Sequence, residues 1–165
     1  MNPSSYSTET QFLEKKSLKV VTGKNADWSE LAKDCVCLAN AKGGIIAIGI
    51  EDDSTEPPAD QKISVELREK IQKRIGELTV NVAIAPQLHT ATNGGEYIRL
   101  NVARSTNIAS TSDGHYYIRI ADTCKPLLGD DVSRLLNERA ATPWETLTNL
   151  EVPLVILFFT AIFCV

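Results

Sequence analysis

The stretch NAKGGIIAIGIED, residues 40–52, decides the fold. Residues 45–50 are isoleucine, alanine or glycine at every position, a composition typical of a strand buried on both faces of a sheet. The pair Gly43 and Gly44 stands directly before this run, and glycine permits the left-handed backbone at which helices end. The stretch therefore predicts a helix end, a tight connection and a central strand in direct succession.

A helix is predicted upstream of this junction, over about residues 27–41. Asp27 can cap its first turn, with Glu30 three residues later. Apolar side chains recur at the three-and-four spacing of one buried helix face, at Trp28, Leu31, Ala32, Cys35, Leu38 and Ala39. The helix should therefore pack on the strand that follows it.

The rest of the chain alternates strand and helix patterns. We predict short strands within residues 9–21, a second amphipathic helix over 63–78, and a last helix over 130–139 with Val132, Leu135 and Leu136 inward. Strands are predicted over residues 80–85, 96–103 and 115–120, with an Asn-Gly-Gly turn at 93–95. This order predicts an α+β domain, a mixed central sheet with helices packed on it.

Composition fits one folded domain. The chain has 165 residues, of which 43% are hydrophobic and 23% charged. Net charge is −4 and the sequence pI is about 5.2. Because dedicated nucleic-acid binders usually carry a basic excess, binding to nucleic acid would require a local basic face.

The four cysteines match neither a zinc site nor a redox Cys-x-x-Cys motif. Cys35 and Cys37 are two residues apart on the predicted helix and point to different faces, and neither His89 nor His115 has a spaced partner for a metal site. We therefore expect four reduced structural thiols in a cytoplasmic protein.

The two ends differ from the middle of the chain. Residues 1–8 are polar and are expected to be a flexible lead, followed by a domain over 9–145 and an apolar tail over 146–165. Residues 154–165 are apolar at nearly every position, but the run is shorter than the ~20 residues of a membrane-spanning helix. We expect a truncated or non-native end, and no membrane span.

Three carboxylates are candidates for one site. Glu9 and Glu14 belong to the first predicted strand, and Asp52 follows the central strand. If the fold brings them together, they could share a proton or bind a divalent cation, which can activate water against a phosphodiester. The alternative is an ordinary charged strand and a solvated loop.

A second candidate site lies in the last predicted strand. Tyr116, Tyr117 and Arg119 place aromatic and basic side chains close together, and Lys125 follows. Such side chains can stack on bases and pair with phosphates. The alternative is a half-buried strand with one wet face.

Taken together, three segments resemble the Schlafen-type AlbA-like domain: residues 9–16, the stretch 40–52, and 116–119 with Thr123. The resemblance extends over about residues 9–145, including the last helix and Trp144. It implies nucleic-acid binding, for which the predicted contacts are Lys16, Asn40, Tyr117, Arg119 and Lys125, with Gly43 and Gly44 as structural motif.

The resemblance also implies an alternative activity. In animal Schlafens the same domain can be a metal-dependent endoribonuclease that cuts tRNA and rRNA. Its carboxylates match Glu9, Glu14 and Asp52, which would then hold Mg²⁺ or Mn²⁺; no cofactor is implied for binding alone. The sequence departs from the family at Lys15, where Phe is usual. The animal enzymes also pair two such domains, so a homodimer would be needed here. Three functions stay open: a nucleic-acid-binding regulatory domain, a metal-dependent ribonuclease, and a protein-interaction module.

Overall fold

A computed structural model describes residues 10–140, so Glu9, Trp144 and the apolar tail lie outside the described residues. The element order is the predicted α+β one, with a short 3-10 turn over Leu18–Val20 after the first strand. The strands are β1 (Leu13–Lys16), β2 (Gly44–Ile48), β3 (Thr79–Val80), β4 (Ile84–Thr90), β5 (Glu96–Val102), β6 (Ser110–Thr111), β7 (Tyr117–Ile120) and β8 (Thr123–Pro126). The helices are α1 (Trp28–Asn40), α2 (Glu66–Leu78) and α3 (Asp130–Ala140).

The main sheet has four strands in the order β1-β2-β5-β4. β1 runs parallel to β2, with Leu13 opposite Ile45, whereas β2 pairs antiparallel with β5. β4 and β5 form a hairpin around the predicted turn at residues 93–95. The sheet is therefore mixed, and the prediction of an α+β domain with a central β2 is confirmed.

Helices α1 and α2 cover one face of this sheet. Alternate residues of β2 and β5 point towards them, because successive side chains of a strand face opposite sides. The resulting core consists of fully buried aliphatic side chains, among them Leu31, Leu38, Ile46, Ile48, Ile71, Ile75, Ile98 and Leu100. At ~1.5–3 kcal/mol for each fully buried large aliphatic side chain, this layer is the main source of fold stability.

The glycine pair makes the corner between α1 and β2. Gly43 has φ of +75°, and its N–H donates to the carbonyl of Leu38 at 2.8 Å, which closes the helix. A Cβ on Gly43 would lie 2.8 Å from the carbonyl oxygen of Val102, and one on Gly44 would lie 2.7 Å from that of Phe12. Both glycines are therefore required by close backbone approach, as the sequence predicts.

The structure differs from the predicted pattern in three places. The predicted strand over residues 80–85 is instead divided between β3 and β4, because Asn81 adopts φ of +59° and interrupts the extended backbone. A second strand, β8, pairs with β7 to form a hairpin that the sequence pattern did not predict. In α3, Leu135 is buried as predicted but Leu136 is 45% exposed.

The expectation of four reduced thiols is wrong for one pair. Cys37 on α1 and Cys124 on β8 form a disulfide, with Cα atoms 5.8 Å apart. Cys35 is a free buried thiol, and burial raises its pKa. The pairing could not be seen in the sequence because 87 residues separate the two positions and only the packing of the hairpin on α1 joins them.

Within residues 10–140, none of the helices combines the length and apolarity needed to cross a membrane.

Candidate functional site

A chain of buried charges joins β1, α1 and β7. The carboxylate of Glu14 receives Arg119 Nη1 at 2.6 Å on one oxygen and Lys16 Nζ at 2.9 Å on the other. Lys16 Nζ also lies 3.1 Å from Asp34 Oδ2 and 3.7 Å from Glu30 Oε1. The side chains of Asp34 and Arg119 are almost fully enclosed, so these charges interact in a weakly screened environment. We call Glu14, Lys16, Asp34 and Arg119 the ionic chain.

The alternation of β1 explains why these residues meet. Glu14 and Lys16 lie on the face of the strand that is turned towards α1, while Lys15 lies on the opposite face. Asp34 projects from the middle of α1 and reaches the same space. Arg119 enters from β7, which packs against α1.

Arg119 pairs with Glu14 and also attaches the hairpin β7–β8 to the main chain of β1. Its guanidinium donates to the carbonyl of Thr10 at 3.2 and 3.1 Å and to that of Leu13 at 3.3 Å. Only 3% of the residue is exposed. The guanidinium therefore faces protein groups on β1 and not solvent, a placement that the alternating aromatic and basic pattern of residues 116–119 did not reveal.

Burial and neighbouring charges shift two pKa values in the ionic chain. Burial raises the pKa of Asp34 to about 6, and Glu14 and Glu30 add to the rise while Lys16 opposes it. Burial disfavours charged Lys16, but attraction to Asp34 and Glu14 outweighs burial and raises the pKa of Lys16. Lys16 therefore stays charged across the physiological range, and Asp34 is the group that titrates within it.

Lys15 supports the acidic turn that follows β2. Its ammonium group donates to the main-chain carbonyls of Asp52, Ser54 (3.1 Å) and Glu51 (3.5 Å). Lys15 is 1% exposed, whereas the residues of the turn at 51–53 are exposed. Lys15 thus satisfies three backbone oxygens of the turn that carries Asp52, a role that its position inside a predicted strand did not indicate.

The predicted carboxylate set does not assemble within the described residues. Glu14 lies on the α1 side of β1, and Asp52 belongs to the turn held by Lys15 on the opposite side. Both oxygens of Glu14 already contact cationic side chains, which compete with a metal ion for the same lone pairs. Among residues 10–140, no cluster of three His, Cys, Asp or Glu side chains could hold a metal ion. Glu9, the third predicted ligand, lies outside the described residues, so the metal site stays a prediction.

Asn40 connects the end of α1 to two other segments. Its Nδ2 donates to the carbonyls of Ala109 at 2.7 Å and Tyr117 at 2.8 Å, and its Oδ1 accepts the N–H of Ala109 at 2.7 Å. Asn40 is 1% exposed, and all these bonds reach residues far away in the sequence. Beside it, Arg139 of α3 donates to the carbonyl of Asn40 at 2.6 Å.

The exposed residues of the hairpin lie outside this buried network. Lys125 on β8 is exposed, and among residues 10–140 no ion pair holds it. Tyr117 is half-buried and lines a hollow of about 390 Å³ beside Asp27, Glu30 and Asp113. Of the five predicted nucleic-acid contacts, Asn40 and Arg119 are buried, Lys16 is mostly enclosed, and Tyr117 and Lys125 reach the surface.

The sequence matches the family described as Schlafen, AlbA_2 over residues 9–128. Among solved structures, it is similar to a crystal structure of the DIP2311 protein from Corynebacterium diphtheriae, with 21% identity and a TM-score of 0.54. That match covers 71% of this chain and 22% of the other, and at this identity it shows a shared fold alone. No curated protein matches the sequence.

Proposed function

This chain belongs to the Schlafen, AlbA_2 family, and from that premise we propose that it is a non-catalytic, nucleic-acid-binding regulatory domain. The proposed contact surface is the outer side of the hairpin β7–β8. The proposed direct contacts are Tyr117 and Lys125, and Lys16, Asn40 and Arg119 act by fixing the hairpin in place.

This proposal rests on one observation. The polar groups that fix the hairpin in place are buried, whereas another polar group of the hairpin is exposed to solvent. Asn40 and Arg119 attach β7 to α1 and β1 through bonds with little exposure to water. Lys125, one strand away, is exposed and forms no ion pair with any of residues 10–140. A rigid hairpin with an outward lysine presents a fixed cation to a phosphate, at low entropic cost.

The state of Glu14 favours binding over metal-dependent cleavage. In a metal nuclease this carboxylate would have to exchange Arg119 and Lys16 for a cation. Breaking a buried ion pair by removing one partner costs about 3–5 kcal/mol, and a metal would have to compensate for that loss. The ionic chain is better suited to holding β1, α1 and β7 together.

The first experiment measures binding of labelled single-stranded and duplex oligonucleotides by fluorescence anisotropy. Affinity should fall steeply between about 50 and about 200 mM salt, because phosphate contacts release counterions. Lys125→Glu should weaken binding of every sequence and flatten the salt dependence. Lys73→Glu, the same charge change at an exposed lysine on α2, is the control and should weaken binding much less. Absence of binding at low salt would contradict the proposal.

The second experiment tests the ribonuclease alternative. Structured RNA is incubated with Mg²⁺ or Mn²⁺ and either the wild type or Asp52→Ala, a change at an exposed residue that the fold should tolerate. We expect equal RNA integrity for both proteins. Metal-dependent cleavage that disappears in Asp52→Ala would replace the binding proposal with an enzymatic one.

A further inference from the structure

A second hollow lies between the hairpin β7–β8 and the start of α3. It has a volume of about 430 Å³, and its lining includes His115, Tyr116, Tyr117, Pro126, Leu128 and Val132. We call it the aromatic hollow. Leu128 is 73% exposed, which leaves a large apolar side chain in water at its rim. Leu128 is the most exposed large apolar side chain of residues 10–140, so the rim of the hollow offers apolar surface to a ligand.

The rings in this hollow can present a face to a planar ligand. The centroids of His115 and Tyr117 are 6.5 Å apart, with the ring planes tilted by 38°. The loop carrying Leu127 is fixed to the residue before β7, since the N–H of Leu127 donates to the carbonyl of Tyr116 at 2.8 Å. The volume is within the ~300–1,000 Å³ usual for small-molecule sites, and a single nucleobase is smaller than that.

A lysine beside the aromatic hollow is available to an anionic group of a ligand. A smaller hollow of about 180 Å³ shares Pro126 and Leu127 with it and contains two cations, Lys125 and Arg134, and two carboxylates, Asp131 and Glu138. Arg134 is paired with Asp131 at 2.9 Å, so Lys125 is the cation left to meet a ligand there. A carboxylate beside the ring of His115, that of Asp113, lies 3.0 Å from His115 Nδ1. An aromatic hollow next to a lysine matches a base beside its phosphate.

We propose that the aromatic hollow receives an unstacked nucleobase, with Lys125 on the adjacent phosphate, so that the preferred ligand is a single strand. This inference rests on the proposed function and specifies its substrate class. In a duplex the faces of each base are covered by its neighbours, so only an unpaired or splayed base can lie against an aromatic side chain. Tyr116 and Tyr117 are the stacking residues.

The test compares a labelled oligothymidine of about ten nucleotides with the same strand in a duplex, at one ionic strength. The single strand should bind the wild type at least about tenfold more tightly. Tyr116→Leu should lower single-strand affinity by about 5- to 100-fold and change duplex affinity little, because the loss is of stacking. Tyr116→Phe keeps the ring and should retain single-strand affinity.

The matched control is Phe12→Leu. Phe12 is also an exposed aromatic residue, 49% accessible, and Lys42 Nζ lies 6.0 Å from its ring centroid, but it lines neither the aromatic hollow nor the smaller hollow beside it. Its substitution should leave both affinities unchanged. Thermal melting of each variant checks that folding is intact.

The outcomes separate the two proposals. If no oligonucleotide binds at low salt, the proposed function fails. If oligonucleotides bind but duplex and single strand are equal, or Tyr116→Leu behaves like Phe12→Leu, the binding function stands and the aromatic hollow is excluded as its base site. If a proline-rich peptide, and not the oligonucleotide, binds in a Tyr116-dependent manner, the hollow is a peptide site and the inference is overturned.

Discussion

The corner between α1 and β2 and the hairpin β7–β8 both contact α1, but they are held in place differently. The corner is fixed by backbone contacts, since neither Gly43 nor Gly44 has room for a side chain. The hairpin is fixed by side chains: Asn40, Arg119 and the disulfide of Cys124 attach it to α1 and β1. The corner therefore serves the fold alone, whereas the hairpin can present its outer side to a ligand.

A polar residue in a sequence motif can therefore hold two parts of the fold together instead of binding a ligand. Asn40 and Arg119 belong to the two most recognisable segments of the sequence and have the chemistry of ligand-binding residues. In the structure both are buried and join the two regions to each other. The residues that reach solvent, Lys125 and Leu128, stand in a strand end and a loop that have no distinct pattern.

The largest expected effect is at the corner. Gly44→Val should abolish cooperative unfolding or lower the melting temperature sharply, because its Cβ would lie 2.7 Å from the carbonyl oxygen of Phe12 and 3.0 Å from Leu38 Cδ2. The clash is with backbone, so β1 would have to move away from β2. Overpacking typically costs about 1–3 kcal/mol and more when backbone must shift. Thermal melting followed by circular dichroism measures the effect.

Gly76→Ala is the control for that change. Gly76 is in α2, and a Cβ there would meet no atom within 4 Å. The substitution should stabilise the protein by about 0.5–1 kcal/mol through helix propensity. A Gly44→Val protein that melts with wild type would show that the corner tolerates side chains and is not a purely structural feature.

The next effect is at the attachment of the hairpin. Arg119→Met should lower the free energy of unfolding by about 3–5 kcal/mol, because Glu14 would remain buried with only Lys16 as partner. Denaturant unfolding measures the change. Arg134→Met, at an arginine whose side chain is 78% exposed, is the control and should cost about 0–1 kcal/mol.

Combining Arg119→Met with Glu14→Gln separates pairing from packing. The double variant leaves no unpaired carboxylate, so it should be more stable than Arg119→Met alone. If the two single changes simply add, Arg119 and Glu14 do not act as a pair, and the hairpin is held by its other contacts.

A somewhat smaller effect is expected from the covalent link. Cys124→Ser should destabilise the protein by about 2–4 kcal/mol, since the disulfide closes a loop of 87 residues in the unfolded chain. Wild type treated with a dithiol reductant should show the same loss, and reductant should not affect Cys124→Ser further. A wild type whose stability is indifferent to reductant would mean that Cys37 and Cys124 are thiols in solution.

These two regions also differ in how far the sequence predicted them. The corner follows from local rules: a helix period, two glycines and a β-branched run in succession. The hairpin depends on contacts across long separations, such as Asn40 with Tyr117 and Cys37 with Cys124, which one sequence does not reveal. Lys15 shows the same limit, because its role depends on where the turn at residues 51–54 folds back on β1.

The smallest expected effect concerns the acid in the middle of the ionic chain. The folded-state pKa of Asp34 is about 6 against 3.8 for the free carboxyl, mainly because the group is buried. Between these pH values the folded protein keeps a proton that the unfolded chain has lost, so wild-type stability should fall as pH rises through this window. The asparagine of Asp34→Asn does not titrate, so the stability of this variant does not fall for that reason. The stability of Asp34→Asn relative to wild type should therefore rise by about 1–3 kcal/mol from pH ~4 to ~6.

Asp113→Asn provides a control of opposite sign for this experiment. A hydrogen bond from Thr111, with His115 contributing, lowers the pKa of Asp113, so its stabilisation is present above the unfolded pKa and is lost as pH falls. Relative to wild type, Asp113→Asn should lose stability as pH rises towards ~4, whereas Asp34→Asn should gain it above ~4. Denaturant titrations at several pH values give both differences. Lys16 does not disturb the comparison, because its raised pKa keeps it charged throughout this range. Parallel curves for Asp34→Asn and wild type would mean that Asp34 is ionised without penalty, and that solvent reaches the ionic chain after all.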